Sequence, residues 1–152
     1  MKRVEVKLNL EAVAPLLDVI KATVDDLGDA PAIGHHTPDH EDEFASGWTE
    51  ELLKGQNDDL GVLLRLFGKE FFADGVIALD PLNAEAVVRA CAAVRLKLRE
   101  RHFAKLDDEA LETGEVDLDA FPAKLRTAFA AYVFLATLQE VIIQHLDPSA
   151  TE

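Results

Sequence analysis

Apolar residues divide the chain into one short alternating stretch and a succession of helical stripes. Arg3–Leu8 alternates, with Val4, Val6 and Leu8 set against Arg3, Glu5 and Lys7, the period of a half-buried strand. After Asn9 the period lengthens. Leu10, Val13, Ala14, Leu17, Ile20, Val24 and Leu27 recur at helical spacing, with Asn9 as cap and Gly28 as stop. Pro15 lies in the second turn, so the regular helix is expected only from near Ala14.

Residues 28–37 read as a loop punctuated by Pro31 and Gly34. Thr37-Pro38 supplies the cap and first-turn proline of a second helix, and carboxylates crowd its start, as its dipole favours. Phe44, Trp48 and Leu52 form its inner stripe, and Gly55-Gln56-Asn57 is expected to interrupt it. A third helix from Asp58 to near Phe72 carries Leu60, Leu63, Leu64, Phe67 and Phe71 on one face, with Val62 and Leu66 on the other. Asp74-Gly75 is a turn, and Val76–Leu79 is a short apolar run able to pair with the amino-terminal strand. Asp80-Pro81 opens a fourth helix with Leu82, Val87, Ala90, Cys91, Val94 and Leu98 inward. It should end near Arg101, because the same phase would next carry Arg101 and Lys105 into the core.

The most apolar stretch is the last, Lys124–Leu146, with no charge between Arg126 and Gln139. Leu125, Ala128, Phe129, Tyr132, Ala136, Ile143 and Leu146 share one side; Ala130, Phe134, Leu138 and Val141 lie opposite. A helix apolar all round belongs inside protein or lipid. Its uncharged run is shorter than the roughly twenty residues a bilayer core requires, so it reads as a core helix. The expected fold is mainly α, one domain of about five helices around this buried C-terminal helix. Residues 1–9 form a strand-like lead-in, 10–146 the helical core and 147–152 a tail, with Val76–Leu79 completing a two-stranded edge.

Composition narrows the environment more than the chemistry. A hydrophobic share of 49% over 152 residues supports one sizeable core. Cys91 is the only cysteine and no apolar leader follows Met1, so a reducing cytoplasm is expected. The formal charge of −14 repels phosphate backbones and anionic lipid. Neither nucleic acid nor membrane is expected as a partner, and a protein with a basic surface is. A homo-oligomer is compatible with the pattern but not predicted by it. Seven carboxylates between Asp107 and Asp119 mark an exposed acidic loop.

Candidate chemistry is sparse. His35, His36 and His40 lie among Asp39, Glu41, Asp42 and Glu43, and imidazole with carboxylate suits zinc, iron or manganese. If Thr37 caps the helix, His36 reaches its start and His40 and Glu43 share a face, which makes His36, His40 and Glu43 the metal candidates. No His-Glu-x-x-His or di-iron Glu-x-x-His pattern accompanies them. A solvated helix start accounts for the cluster better, so no metal and no cofactor are expected. Cys91 sits among Ala90, Ala92 and Ala93 and reads as an inert core thiol. Ser46 and Ser149 lie in no nucleophile elbow, and no phosphate-binding glycine loop is present. Arg89, Arg95, Lys97, Arg99, Arg101 and Lys105 gather on the fourth helix, either as an anion site or as cations complementing a helix C-terminus and the acidic loop after it; the second fits better. Tyr132 and Gln139 are expected to find internal hydrogen-bond partners. A ligand pocket lined by Phe67, Phe71 and Phe134 is a third functional alternative.

The order of these signals resembles an uncharacterised bacterial family of helical domains of unknown function. The likeness rests on Asp42-Glu43-Phe44 through Leu52, Leu79-Asp80-Pro81 with Ala84-Glu85-Ala86 and Arg95-Leu96-Lys97-Leu98, and the aromatic run Tyr132–Glu140. Members of that family are often encoded beside the ClpS-type adaptor of the Clp protease, which implies a proteolysis-related role. The histidine cluster is not part of the family pattern. The expected function is a non-enzymatic interaction or adaptor module with no catalytic residues. The alternative is a small metal-binding domain or metal-dependent hydrolase using His36, His40 and Glu43.

Overall fold

Val4–Lys7 (β1) and Val76–Leu79 (β2) pair antiparallel, with Val4 opposite Leu79 and Lys7 opposite Val76. The computed structural model describes residues 3–28, 43–103 and 121–146, with the side chains of residues 43–49 outside that description. The helices are Leu10–Leu27 (α1), Glu43–Leu66 (α2), the short Lys69–Asp74 (α3), Ala84–His102 (α4) and Ala123–Leu146 (α5). α4 packs against α1, α2 and α5, and α5 packs against α4 and α1. The sheet lays Ile77 and Leu79 on this helical core, with Val4, Val6 and Leu8 half-buried beside them.

The strand pairing and the mainly helical architecture follow the hydrophobic pattern, as does the buried C-terminal helix. Leu135, Leu138, Phe129 and Tyr132 of α5 are buried, and each large apolar side chain so enclosed contributes about 1.5–3 kcal/mol. By length and composition α5 would also suffice to cross a membrane, but its buried face is packed against α1 and α4 as in the core helix of a globular domain. It is not enclosed all round. Ala130, Val133, Thr137, Glu140 and Gln144 form an outward stripe, and Ile143, expected inside, is 50% exposed.

Other local expectations change. α1 is helical from Leu10, with Asn9 Oδ1 accepting from the Ala12 N–H at 3.1 Å and Pro15 inside the helix. Pro15 and Glu11 both lie on the exposed side, so the carbonyl that loses its donor is not sealed from water. α2 runs through Gly55-Gln56-Asn57 without a break, because Gln56 Nε2 donates to the Leu27 carbonyl at 3.0 Å and ties that turn to the end of α1. A single glycine penalty of about 1 kcal/mol does not outweigh such packing. The chain turns instead at Phe67-Gly68, which splits the expected third helix between α2 and α3. At Asp80 the cap forms, but a turn through Pro81–Asn83 precedes the regular helix. Asp80 Oδ1 accepts from the Leu82 and Asn83 N–H groups, and Asn83 Oδ1 accepts from the Asp80 N–H in return. That turn throws Leu82 outward, 81% exposed, against its expected inner position. Leu52 is also exposed, while Phe44 and Trp48 lie among residues whose side chains are outside the description.

Candidate functional site

The metal candidates do not come together in the described part of the chain. His36 and His40, with His35, lie outside the described residues, as do the acidic stretch 107–119 and the Thr37-Pro38 helix start. Glu43 is the first residue of α2, and its side chain is outside the description. Among the described residues no three His, Cys, Asp or Glu side chains converge as a metal site.

Three of the α4 cations are engaged by other helices. Arg89 forms a two-pronged bridge to Asp59 of α2 at 2.9 and 3.0 Å, and Asp59 raises its pKa. Arg101 pairs with Asp26 of α1, and Lys97 lies 3.6 Å from Glu100. Arg95 Nη1 donates to Gln139 Oε1 at 2.7 Å, Gln139 Nε2 donates to the Val88 carbonyl at 3.0 Å, and the guanidinium lies 4.5 Å over the Tyr132 ring. Arg89, Arg101 and Arg95 therefore pin α4 to α2, α1 and α5, while Lys97 pairs within α4. The expected internal partner of Gln139 is thus Arg95, and Tyr132 offers it a ring face. Arg95 Nε is buried without a hydrogen-bond partner among the described residues.

Cys91 is fully buried, and that burial pushes its thiol from an ordinary 9.0 up to about 12, with the Arg95 charge pulling weakly the other way. In the unfolded chain this thiol ionises first, so above pH 9 the unfolded state binds fewer protons than the folded one. Its contribution to stability is present below pH 9 and is lost between there and about 12. Urea denaturation across that window should show a steeper decline for the wild type than for Cys91→Ala. The phenylalanine trio is likewise structural: Phe67 meets Phe71 edge-on at 5.3 Å and Phe134 at 6.0 Å, so ring carbon fills the space a ligand would need.

Two surface grooves stand out among the described residues. One is a wide, mixed-charge groove of about 850 Å³ over the outer face of the sheet, lined by Arg3, Glu5, Arg65, Lys69, Glu70 and Asp74 among others. The other is an apolar groove of about 360 Å³ between the start of α4 and the end of α5. Pro81, Ala84, Val88, Ile142, Ile143 and Leu146 line it, and Glu85 and Arg89, 3.8 Å apart, stand on its rim. The Asp80 capping turn places Pro81 and Ala84 here, and the last two turns of α5 bring Ile142, Ile143 and Leu146. Helical periodicity missed this site, because it assigned Ile143 to the core and gives no sign of where a neighbouring helix stops covering an apolar face.

A family model of a domain of unknown function, DUF2017, matches residues 12–146. The chain belongs to the DUF2017 family. No curated protein and no solved structure matches it. The DUF2017 match includes both walls of the apolar groove and begins after β1. The family's description names no function, so the reading of this DUF2017 chain rests on its own geometry.

Proposed function

We propose that this DUF2017 chain is a non-enzymatic protein-interaction or adaptor module that takes a partner with a basic surface. The observation that carries the reading is the α4–α5 groove, where Ile143 stands half-exposed among apolar neighbours beside an exposed ion pair. Such a cleft suits hydrocarbon burial and offers little for acid–base chemistry. A formal charge of −14 favours a partner whose flanks carry lysine or arginine, and opposite charge speeds and orders such encounters. A cytoplasmic, proteolysis-related adaptor is one role that fits this description.

The test is capture of cellular proteins on the immobilised full chain, compared with Ile143→Gln, which leaves the charge unchanged. The wild type should retain a partner that the variant binds about tenfold or more weakly at unchanged thermal stability, as for an interface anchor. Retention should also fall as salt is added. Equal retention by the variant would remove the groove from the proposal, and salt-insensitive binding would remove the basic partner.

A further inference from the structure

We propose that β1 is a self-complementary edge through which two copies of this chain join, making a four-stranded sheet in the order β2-β1-β1-β2 around a two-fold axis at Val6. The ladder phase carries the argument. The Leu8 N–H donates to the Gly75 carbonyl at 2.7 Å, and the register continues through Val6 opposite Ile77 and Val4 opposite Leu79. Hydrogen-bonded pairs alternate along an antiparallel ladder, so Val4 and Val6 turn their backbone groups toward β2 while Glu5 and Lys7 turn theirs outward. No hydrogen bond of the Glu5 or Lys7 backbone to another described residue is formed on that outer side. The far edge of the sheet differs: the outward carbonyl of Ala78 on β2 already accepts from Asn83 Nδ2 at 3.1 Å.

Side-chain charge, with the length of strand that overlaps, then selects the occupant and the register. An antiparallel copy centred on Val6 sets Glu5 opposite Lys7 of the second chain and Lys7 opposite its Glu5, two opposite-charge pairs within hydrogen-bonded rungs. Centring on Glu5 instead sets Glu5 against Glu5 and Arg3 against Lys7; centring on Lys7 sets Lys7 against itself. Both alternatives place like charges face to face, which destabilises a pair. Centring on Val4 also sets Arg3 opposite Glu5, but it overlaps only residues 3–5 of the described strand, whereas centring on Val6 overlaps residues 3–9. On the inner face the chosen register lays Val4 against Leu8 of the other chain and Val6 against Val6, covering side chains now half-buried at the sheet margin. The exposed Arg3–Glu5 contact at 3.2 Å is the competing arrangement of Glu5.

The mass of the full chain, followed by sedimentation over a range of concentrations, tests this. The wild type should move from 16.7 kDa toward twice that value as concentration rises. Glu5→Lys alone and Lys7→Glu alone should each weaken dimerisation about tenfold or more, since two attractive pairs become repulsive. The double variant should restore it, and an equimolar mixture of the two single variants should form the mixed dimer. Val6→Cys should cross-link under mild oxidation, its Cα atoms about 4.5 Å apart in a non-hydrogen-bonded pair. Arg3→Cys should not, being about 20 Å from its counterpart at roughly 3.3 Å per residue. Native Cys91 is buried and does not compete. A wild-type chain that stays monomeric throughout, or charge variants that dimerise like the wild type, would overturn the proposal. So would a dimer that Val6→Cys fails to cross-link.

Discussion

Replacing Phe103 with alanine is expected to lower the stability of this chain by about 3–5 kcal/mol, the range for deleting a buried aromatic ring. Phe103 is 1% exposed at the end of α4, where its N–H caps the helix by donating to the Arg99 carbonyl at 3.0 Å. Its ring meets Phe129 edge-on at 5.8 Å and Tyr132 at 5.6 Å, both on α5. Such pairs contribute about 0.5–1.5 kcal/mol beyond the area they bury. The residue thus closes one end of the α4–α5 interface, whose middle is held by Arg95, Gln139 and Tyr132. Urea denaturation of Phe103→Ala and Phe103→Leu checks the assignment. The leucine variant keeps most of the volume and should lose less than half as much. A loss under about 1 kcal/mol for alanine would mean the site collapses freely and the ring is not a core element.

Gly75→Ala is expected to be the most damaging change at an otherwise inconspicuous position, at about 2–3 kcal/mol. Gly75 sits at φ 74°, where a side chain costs about 1–2 kcal/mol. A Cβ there would also stand 2.7 Å from the Leu8 carbonyl oxygen, backbone that cannot swing away as a side chain can. The same glycine joins α3 to the sheet, its N–H donating to Phe71 O and its carbonyl accepting from the Leu8 N–H at 2.7 Å. Opening that last rung forfeits about 0.5–1.5 kcal/mol more. Gly55 is the internal comparison. It lies within α2 with no described atom within 4 Å of an added Cβ, so Gly55→Ala should stabilise the chain by about 0.5–1 kcal/mol. Thermal or urea midpoints of the two variants should move in opposite directions. Equal shifts would show that backbone conformation at Gly75 does not govern the strand junction.

These positions also show what could be read from the chain alone. The alternation at Val4, Val6 and Leu8 and the apolar run Val76–Leu79 foretold both strands, because a two-residue period is a local property of backbone geometry. Asn9 as cap, Cys91 as a core thiol and α5 as a core helix were legible for the same reason: each depends on neighbours within a few turns. The candidate site was not legible. Nothing near Ile143 in sequence announces that its neighbours α1 and α4 leave that flank uncovered, and Leu82 follows helical phase on paper while the Asp80 turn rotates it into solvent.

The division has one physical cause. Periodicity, capping chemistry and turn propensity are short-range, so the amino-acid order by itself determined the strands, the existence of the long helices and the apolar character of the last one. Which face each helix turns toward water depends on partners dozens of residues away. The bond from Gln56 to Leu27 spans 29 residues and carries α2 through a predicted break. The bridge from Arg101 to Asp26 spans 75, and that from Arg95 to Gln139 spans 44; together they turn two members of an apparent basic patch into struts between helices. Those choices, and with them the groove beside Ile143 and the edge of β1 that no described strand covers, were made only when the helices packed.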